Sequence, residues 1–180
     1  FHTDLSGSPF FVVKTENRKP GNSTLHEAAD ATVTFSRVFK LGMQTSPVFH
    51  VKPEQVSKKT KAGEFMGKGA FMIYGKTNYI DNKVNLAVGI AKDKAVMSGP
   101  IEAVKKNCKK YVVLKQGDEK VSSIAKKINY KLGKGLSLDE IRELLEIKLE
   151  ATEHSCALSR AGRRQREWGC IRACHRFRYD

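Results

Sequence analysis

NLAVGIAKDKAVMSGPIEAVKKNCKKYVVLK, residues 85–115, reads as strand, turn, strand, helix, strand. Asn85–Ala91 and Lys94–Gly99 are short apolar runs that pair naturally across Lys92-Asp93, the mark of a hairpin. Pro100 then suits the first turn of a helix over IEAVKKNCKK, since its fixed φ is helical and its missing N–H is not needed there. YVVLK, 111–115, is rich in β-branched and aromatic residues and predicts another strand.

Upstream, PFFVVK (9–14), PVFHVK (47–52) and AFMIYGK (70–76) predict further strands. Between the first two, Thr24-Leu25-His26-Glu27 has the form of a capping box and predicts a helix over about 24–41, ended by Gly42. Downstream, Asp118 is placed to cap a helix that buries Val121, Ile124, Ala125, Ile128 and Leu132, at helical spacing. Ser137-Leu138-Asp139-Glu140 is a second capping box, opening a helix to about residue 149. Strands cluster in the middle of the chain and helices flank them. That order predicts an α+β fold, a mixed β-sheet with helices packed on it, rather than regular βαβ winding.

The chain of 180 residues has room for one domain with a real core. Its composition breaks near residue 150. Residues 1–150 hold 23 Lys and 3 Arg against 16 acidic residues, whereas residues 151–180 hold no Lys and 7 Arg against 3 acidic residues. One folding unit rarely switches its cation so completely. The expected organisation is a single domain over 1–149 and an irregular arginine- and cysteine-bearing tail over 150–180, not native to the domain.

A net charge of +14 is the strongest global fact. Such an excess attracts polyanions, and nucleic acid is the usual target because each neutralised phosphate releases condensed counterions. No apolar run approaches the ~18–20 residues that span a bilayer, and no membrane partner is expected. Four cysteines, three of them in the last 25 residues, do not make a disulfide framework. Together with the abundant lysine they suit a reducing cytoplasm.

Several motifs tempt a catalytic or ligand reading. Gly75-Lys76-Thr77 ends like a phosphate-cradling loop, but the required first glycine is Ala70, and FMIY between them is a strand. His154, Cys156, Cys170 and Cys174 are zinc-ligand types at looser spacing than structural sites use. Neither a metal nor a cofactor is expected. His50 reads as a strand histidine and His26 as a solvated one. His2 and Asp4 would share a strand face as i and i+2. With Glu54, Gln55 and Lys76 they raise the alternative of an RNA-processing or RNA-modifying enzyme, His2 acting as general base. A protein-interaction module docking on an acidic partner is the third reading. The bland reading of His2 and Asp4 is a pair that fixes a turn.

The basic residues gather in runs. Lys120, Lys126, Lys127 and Lys131 line one helix face, and Lys105, Lys106, Lys109 and Lys110 precede them. Another set lies in VKPEQVSKKTKAGEFMGKGAFMIYGK (51–76), where two strands bracket a lysine-loaded connection. Phe65, Phe71, Tyr74 and Tyr79 are aromatics beside basic residues, suited to stacking on unpaired bases, although strand alternation assigns about half of them to the core.

Two of these segments also resemble a known family. HTDLSGSPFFVVK resembles the H-x-D-x-x-G-x-P signature of the NFACT-R domain, and VKPEQVSKK…GEFMGKGAFMIYGKTNYI resembles its K-P-x-Q-V-S-K…G-K-x-N-(Y/F) signature. VNLAVGI, VMSGPIEAVKK, YVVL-x-x-GD and IAKKINYKLG follow as in archaeal members, so the likeness covers about residues 1–145. The resemblance is to the ribosome quality-control family that includes NEMF and RqcH. It implies an RNA-binding domain, not an enzyme, that contacts rRNA or tRNA on stalled large ribosomal subunits. The chain departs from the pattern by lacking the strands that normally precede H-x-D, which leaves an unpaired sheet edge as an expectation, and by continuing EIKLEATEHSC where the family has a Pro-Gly-rich motif.

The expected RNA-binding residues are Lys14, Lys52, Gln55, Ser57, Lys58, Lys59, Lys68, Lys76 and Asn78, bordered, by resemblance, by His2, Asp4 and Gly7. Lysines would meet phosphates, while Gln55, Ser57 and Asn78 would hydrogen-bond phosphates, 2′-hydroxyls or base edges.

Overall fold

In the computed structural model, which describes residues 1–5, 8–16, 18–59, 65, 70–133, 137–139, 141–142 and 168–169, the hairpin at 86–99 stands as the sequence predicts. Numbered in chain order, the elements are β1 (His2–Thr3), α1 (Asn22–Thr34), α2 (Arg37–Lys40), β2 (Val48–His50), a 3₁₀ turn (Pro53–Gln55), β3 (Val56–Ser57), β4 (Ala70–Ile73), β5 (Asn78–Ile80), β6 (Leu86–Ala91), β7 (Val96–Gly99), α3 (Ile101–Asn107), β8 (Cys108–Leu114), α4 (Val121–Leu132) and β9 (Trp168–Gly169). The class is α+β. The strands form three small sheets, β1-β2-β5, β3-β4-β9 and β7-β6-β8, and every pairing among the described residues is antiparallel.

The sheet β7-β6-β8 is covered on both faces. Val88, opposite Ser98 and Val112, looks toward α4 and packs with Ala125, Ile128, Leu132 and Ile141. Ala87, opposite Gly99 and Val113, looks toward α3 and packs with Val104 and Cys108. Gly89 has no space for a side chain, because a Cβ there would lie 2.8 Å from both Cys108 Cβ and Lys110 O. It sits beside the register shift at Ile90/Ala91, where the strand bends onto β8. The sheet β1-β2-β5 lays its Thr3–Val48–Ile80 row against the helices, where Val48 packs with Ala29 and Val33 of α1 and Val38 of α2.

Four sequence expectations are corrected. The helix expected over 24–41 starts earlier, at Asn22, without a side-chain cap from Thr24, and it breaks in two. Ser36 makes the break: its hydroxyl donates to Val33 O (2.7 Å) and accepts from the Val38 N–H (3.2 Å), closing α1 and opening α2 with one side chain. The strand expected over 9–14 is extended but joins no ladder. Phe11 N–H bonds Phe1 O, and its buried ring stacks on Phe35 at 6.0 Å. The run from Cys108 to Lys110, expected in the helix, is strand because Ala91 and Ile90 pair with it. Asp118 does not cap α4, whose N-cap is Lys120. Ser137 accepts from the Asp139 N–H, at 3.2 Å, an N-cap bond to the second residue of the turn, while Glu140, the other member of its capping box, lies outside the described residues. β5 was not foreseen, since NYI is too short to stand out beside the strand before it.

His50 lies in β2, as read from sequence. His154, Cys156, Cys170 and Cys174 lie outside the described residues. Among the described residues no helix is long and apolar enough to cross a membrane.

Candidate nucleic-acid interface

The connection from β2 to β5 is organised by one side chain. Pro53 starts the 3₁₀ turn, which delivers Gln55 to the beginning of β3. Gln55 Oε1 accepts from the Lys52 N–H (3.0 Å), and Gln55 Nε2 donates to Tyr74 O (2.8 Å) and Lys76 O (2.9 Å). The Tyr74 N–H returns a bond to Gln55 O at 2.9 Å. Two backbone segments distant in sequence, Lys52–Gln55 and Tyr74–Lys76, are thereby fixed together. Gly75 completes the clamp: it holds φ +83°, and a Cβ there would press to 3.1 Å on Gln55 Nε2.

Ser57 does the same for the next turn. Its hydroxyl accepts from the Lys59 N–H (2.9 Å) and donates to Lys59 O (3.2 Å), and the Tyr74 hydroxyl donates to Lys59 O as well, at 3.2 Å. Lys58 Nζ rests 5.6 Å from the centre of the Phe71 ring. Gln55 and Ser57 spend these groups on the backbone, because each sits where a turn leaves peptide groups without a ladder partner. Their effect is to display Lys52, Lys58, Lys59 and Lys76, all exposed. Among the described residues no ion pair involves these four lysines. Glu54 is the one acidic residue in 51–59.

We expect Gln55→Leu to cost about 1–2 kcal/mol, since three hydrogen bonds of modest net worth are lost at a partly wetted site. The Lys52 amide should then exchange its hydrogen faster than in the wild type. Unchanged exchange and an unchanged melting temperature would show that the clamp carries no load.

Beside the clamp runs a row of rings. Phe71 of β4 meets Phe10 edge-on at 5.4 Å, and Phe10 meets His2 at 4.4 Å. His2 stacks on Phe49 at 6.3 Å, and Phe49 meets Tyr79 at 5.8 Å. The register explains the row, because His2, Phe49 and Tyr79 stand opposite one another across β1, β2 and β5 and so share a face. This is the face opposite the one that α1 covers.

The row decides the fate of the His2/Asp4 pair. His2 is 2% exposed, and its Nδ1 lies 2.7 Å from Thr3 O. Burial lowers its imidazole from the ordinary value to about 4, so it is neutral at pH 7. Asp4 is exposed and accepts from the Tyr79 hydroxyl, at 3.1 and 3.3 Å to its two oxygens. The two residues turn to different partners because β1 ends at Thr3, so the i, i+2 rule no longer applies. A ring packed among aromatics is not presented to RNA, nor is it a general base open to substrate.

Asn78 is exposed on β5, next to Lys76. Lys14 is exposed at the end of the 8–16 segment, and no described contact joins it to the clamp. Gly7 and Lys68 lie outside the described residues, as do Lys61, Gly63, Gly67 and Gly69. The contribution that sequence reasoning missed is Phe10. Its signal was present in the two adjacent phenylalanines, one for each side of the segment.

The second lysine set is divided. Lys106 pairs with Glu27 and Lys127 with Glu119, each at 2.6 Å. Lys126, Lys127 and Lys131 also border, with Lys115 and Tyr130, a cavity of about 750 Å³ between α4 and β8, floored by apolar side chains such as Val112 and Ile124.

Residues 1–75 match the family described as NFACT protein RNA binding domain. The chain is 35% identical over 132 residues to the archaeal Rqc2 homolog aRqcH of Methanocaldococcus jannaschii, a match covering 71% of this chain and 20% of that protein. It is 35% identical over 82 residues to the ribosome quality control complex subunit NEMF of Mus musculus and of Homo sapiens, covering 44% of this chain and 7% of each. The chain thus spans about a fifth of the archaeal relative's length and less than a tenth of the animal ones. No solved structure matches it.

Proposed function

We propose, from the premise that this chain belongs to the NFACT family through its RNA-binding domain, that it is the RNA-binding part of a ribosome-associated quality-control factor. In this reading residues 1–149 form the module and residues 150–180 a tail, from which β9 pairs with β4. The module acts in the cytoplasm without catalysis and docks on rRNA or tRNA of stalled large ribosomal subunits. One observation carries the reading: Lys52, Lys58, Lys59 and Lys76 are held exposed around a single backbone clamp, and no ion pair to a described residue neutralises them. Cations so placed can each release counterions from a phosphate, whatever the base sequence.

The test is a salt titration of RNA binding. Replacing Lys58, Lys59 and Lys76 together with alanine should weaken binding and flatten log K against log salt by ~2–3 units. An unchanged slope would place the phosphate contacts elsewhere. Co-sedimentation with large ribosomal subunits, with and without bound peptidyl-tRNA, then distinguishes rRNA from tRNA as the target. If nuclease treatment left the subunit complex intact, a protein partner would replace RNA in the assignment.

A further inference from the structure

We infer that Tyr79 is a stacking platform for an unpaired nucleobase, so that this surface selects RNA with single-stranded segments over uniform duplex. The inference rests on the RNA-binding reading and names what that surface prefers.

Tyr79 is the end of the aromatic row and remains 49% exposed, while Phe49 beside it is 1% exposed. Its ring is fixed at two points. Phe49 packs against it at an interplanar angle of 63°, and its hydroxyl donates to Asp4, 75 residues away in sequence. A ring held in this way has little rotational freedom left to lose when a base lands on it. Asp4 makes sense in the same terms. A carboxylate repels phosphates, so its presence beside a lysine-bearing surface calls for another task. Its hydrogen bond gives one, which is to orient Tyr79.

Among the neighbouring aromatics Phe65 is also exposed, at 80%, and the others make contacts within the fold. Phe10 and Phe71 pack on each other, Lys58 covers Phe71, and the Tyr74 hydroxyl is bound to Lys59 O. Tyr79 also has the right neighbours. Exposed Lys76 and Asn78 lie on the same connection, and the carbonyl of Lys76 is tied to Gln55. A stacked base thus has a cation, Lys76, for its phosphate close by in the chain, whereas Asn78 belongs to the other face of β5. Bases in a duplex stack on one another and do not offer a free face. Loops, bulges and ends do.

The experiment measures binding, by fluorescence anisotropy at fixed salt, to a hairpin with an unpaired loop and to the same stem as a blunt duplex. Tyr79→Ala should weaken loop binding on the order of 10- to 100-fold, the range for one base–aromatic stack, and leave duplex binding unchanged. Tyr79→Phe, which keeps the ring, should retain most of the loop preference. Tyr79→Leu, which keeps an apolar contact with Phe49 but cannot stack, should lose it. Wild-type loop binding by Tyr79→Leu, or an equal loss on both RNAs, would reduce Tyr79 to a structural residue and overturn the inference. Binding of neither RNA by the wild type, with no effect of the triple lysine substitution, would instead overturn the RNA-binding reading and the platform with it.

Discussion

Phe49→Ala should cost about 3–5 kcal/mol of folding stability, the range for removing a buried aromatic ring. Phe49 is 1% exposed and stands between His2 and Tyr79, at 6.3 and 5.8 Å. Its removal therefore deletes more than transfer energy. It opens a void in the middle of the row and takes away the ring against which Tyr79 is set. Because Phe49 is the central residue of a three-stranded sheet, β1 and β5 lose their common contact together. Urea unfolding should show a lower midpoint with little change in slope, and Phe49→Leu should recover much of the difference by refilling volume. A loss of under about 1 kcal/mol for the alanine variant would mean that the row does not hold the sheet.

The second large effect is a loss of stability in acid. His2 is neutral in the folded protein down to about pH 4, because burial disfavours its charged form, whereas an unfolded histidine takes up a proton near pH 6.5. Above pH 6.5 both states are neutral and His2 has no pH effect. As the pH falls from 6.5 toward 4 the unfolded state binds the proton and the folded state does not, so stability drops by about 1.4 kcal/mol per pH unit. The whole window amounts to about 3 kcal/mol, after which the effect levels off. Carboxylates titrate in the lower part of the same window. The diagnostic quantity is thus the difference between wild type and His2→Phe, a variant that keeps a ring in the row and carries no proton. His2→Phe should flatten the pH dependence between 6.5 and 4. Parallel curves for the two proteins would show that the imidazole is solvated and that the row is looser than its distances imply.

Much of the fold can be read locally. The hairpin at 86–99 follows from two apolar runs separated by a charged turn, and its register is fixed because a one-residue slip would turn Val88 away from α4. The apolar stripe of α4 is equally plain, and Ala125, Ile128 and Leu132 are buried as the spacing requires. The misreadings lie where a local signal competes with a contact from far away. Thr24 looks like a cap, yet α1 begins at Asn22 after Pro20-Gly21. Cys108–Lys110 continue a helical pattern, yet β6 claims them as strand.

The interface divides along the same line. Charge is additive along a chain, and the excess of lysine over carboxylate points to a polyanion without any knowledge of shape. The motif that includes Lys52, Gln55 and Lys76 could also be picked out by eye. Sequence did not separate residues that face the ligand from residues that hold others in place. Gln55, Ser57, His2 and Asp4 are polar, and polar residues in a basic loop look like contacts. Their partners, Tyr74, Lys59, Phe10 and Tyr79, are brought to them only by folding.

The sequence alone therefore determined the α+β class, the excess of positive charge and the resemblance to the NFACT RNA-binding domain, because composition, periodicity and motif spacing are properties of the chain. Only the tertiary structure decided which side chains are held by contacts within the fold. A hydrogen bond or ring contact satisfies a group irrespective of how many residues separate the partners, and that pairing is set by the packing of β1, β2, β4 and β5 rather than by any pattern along the chain.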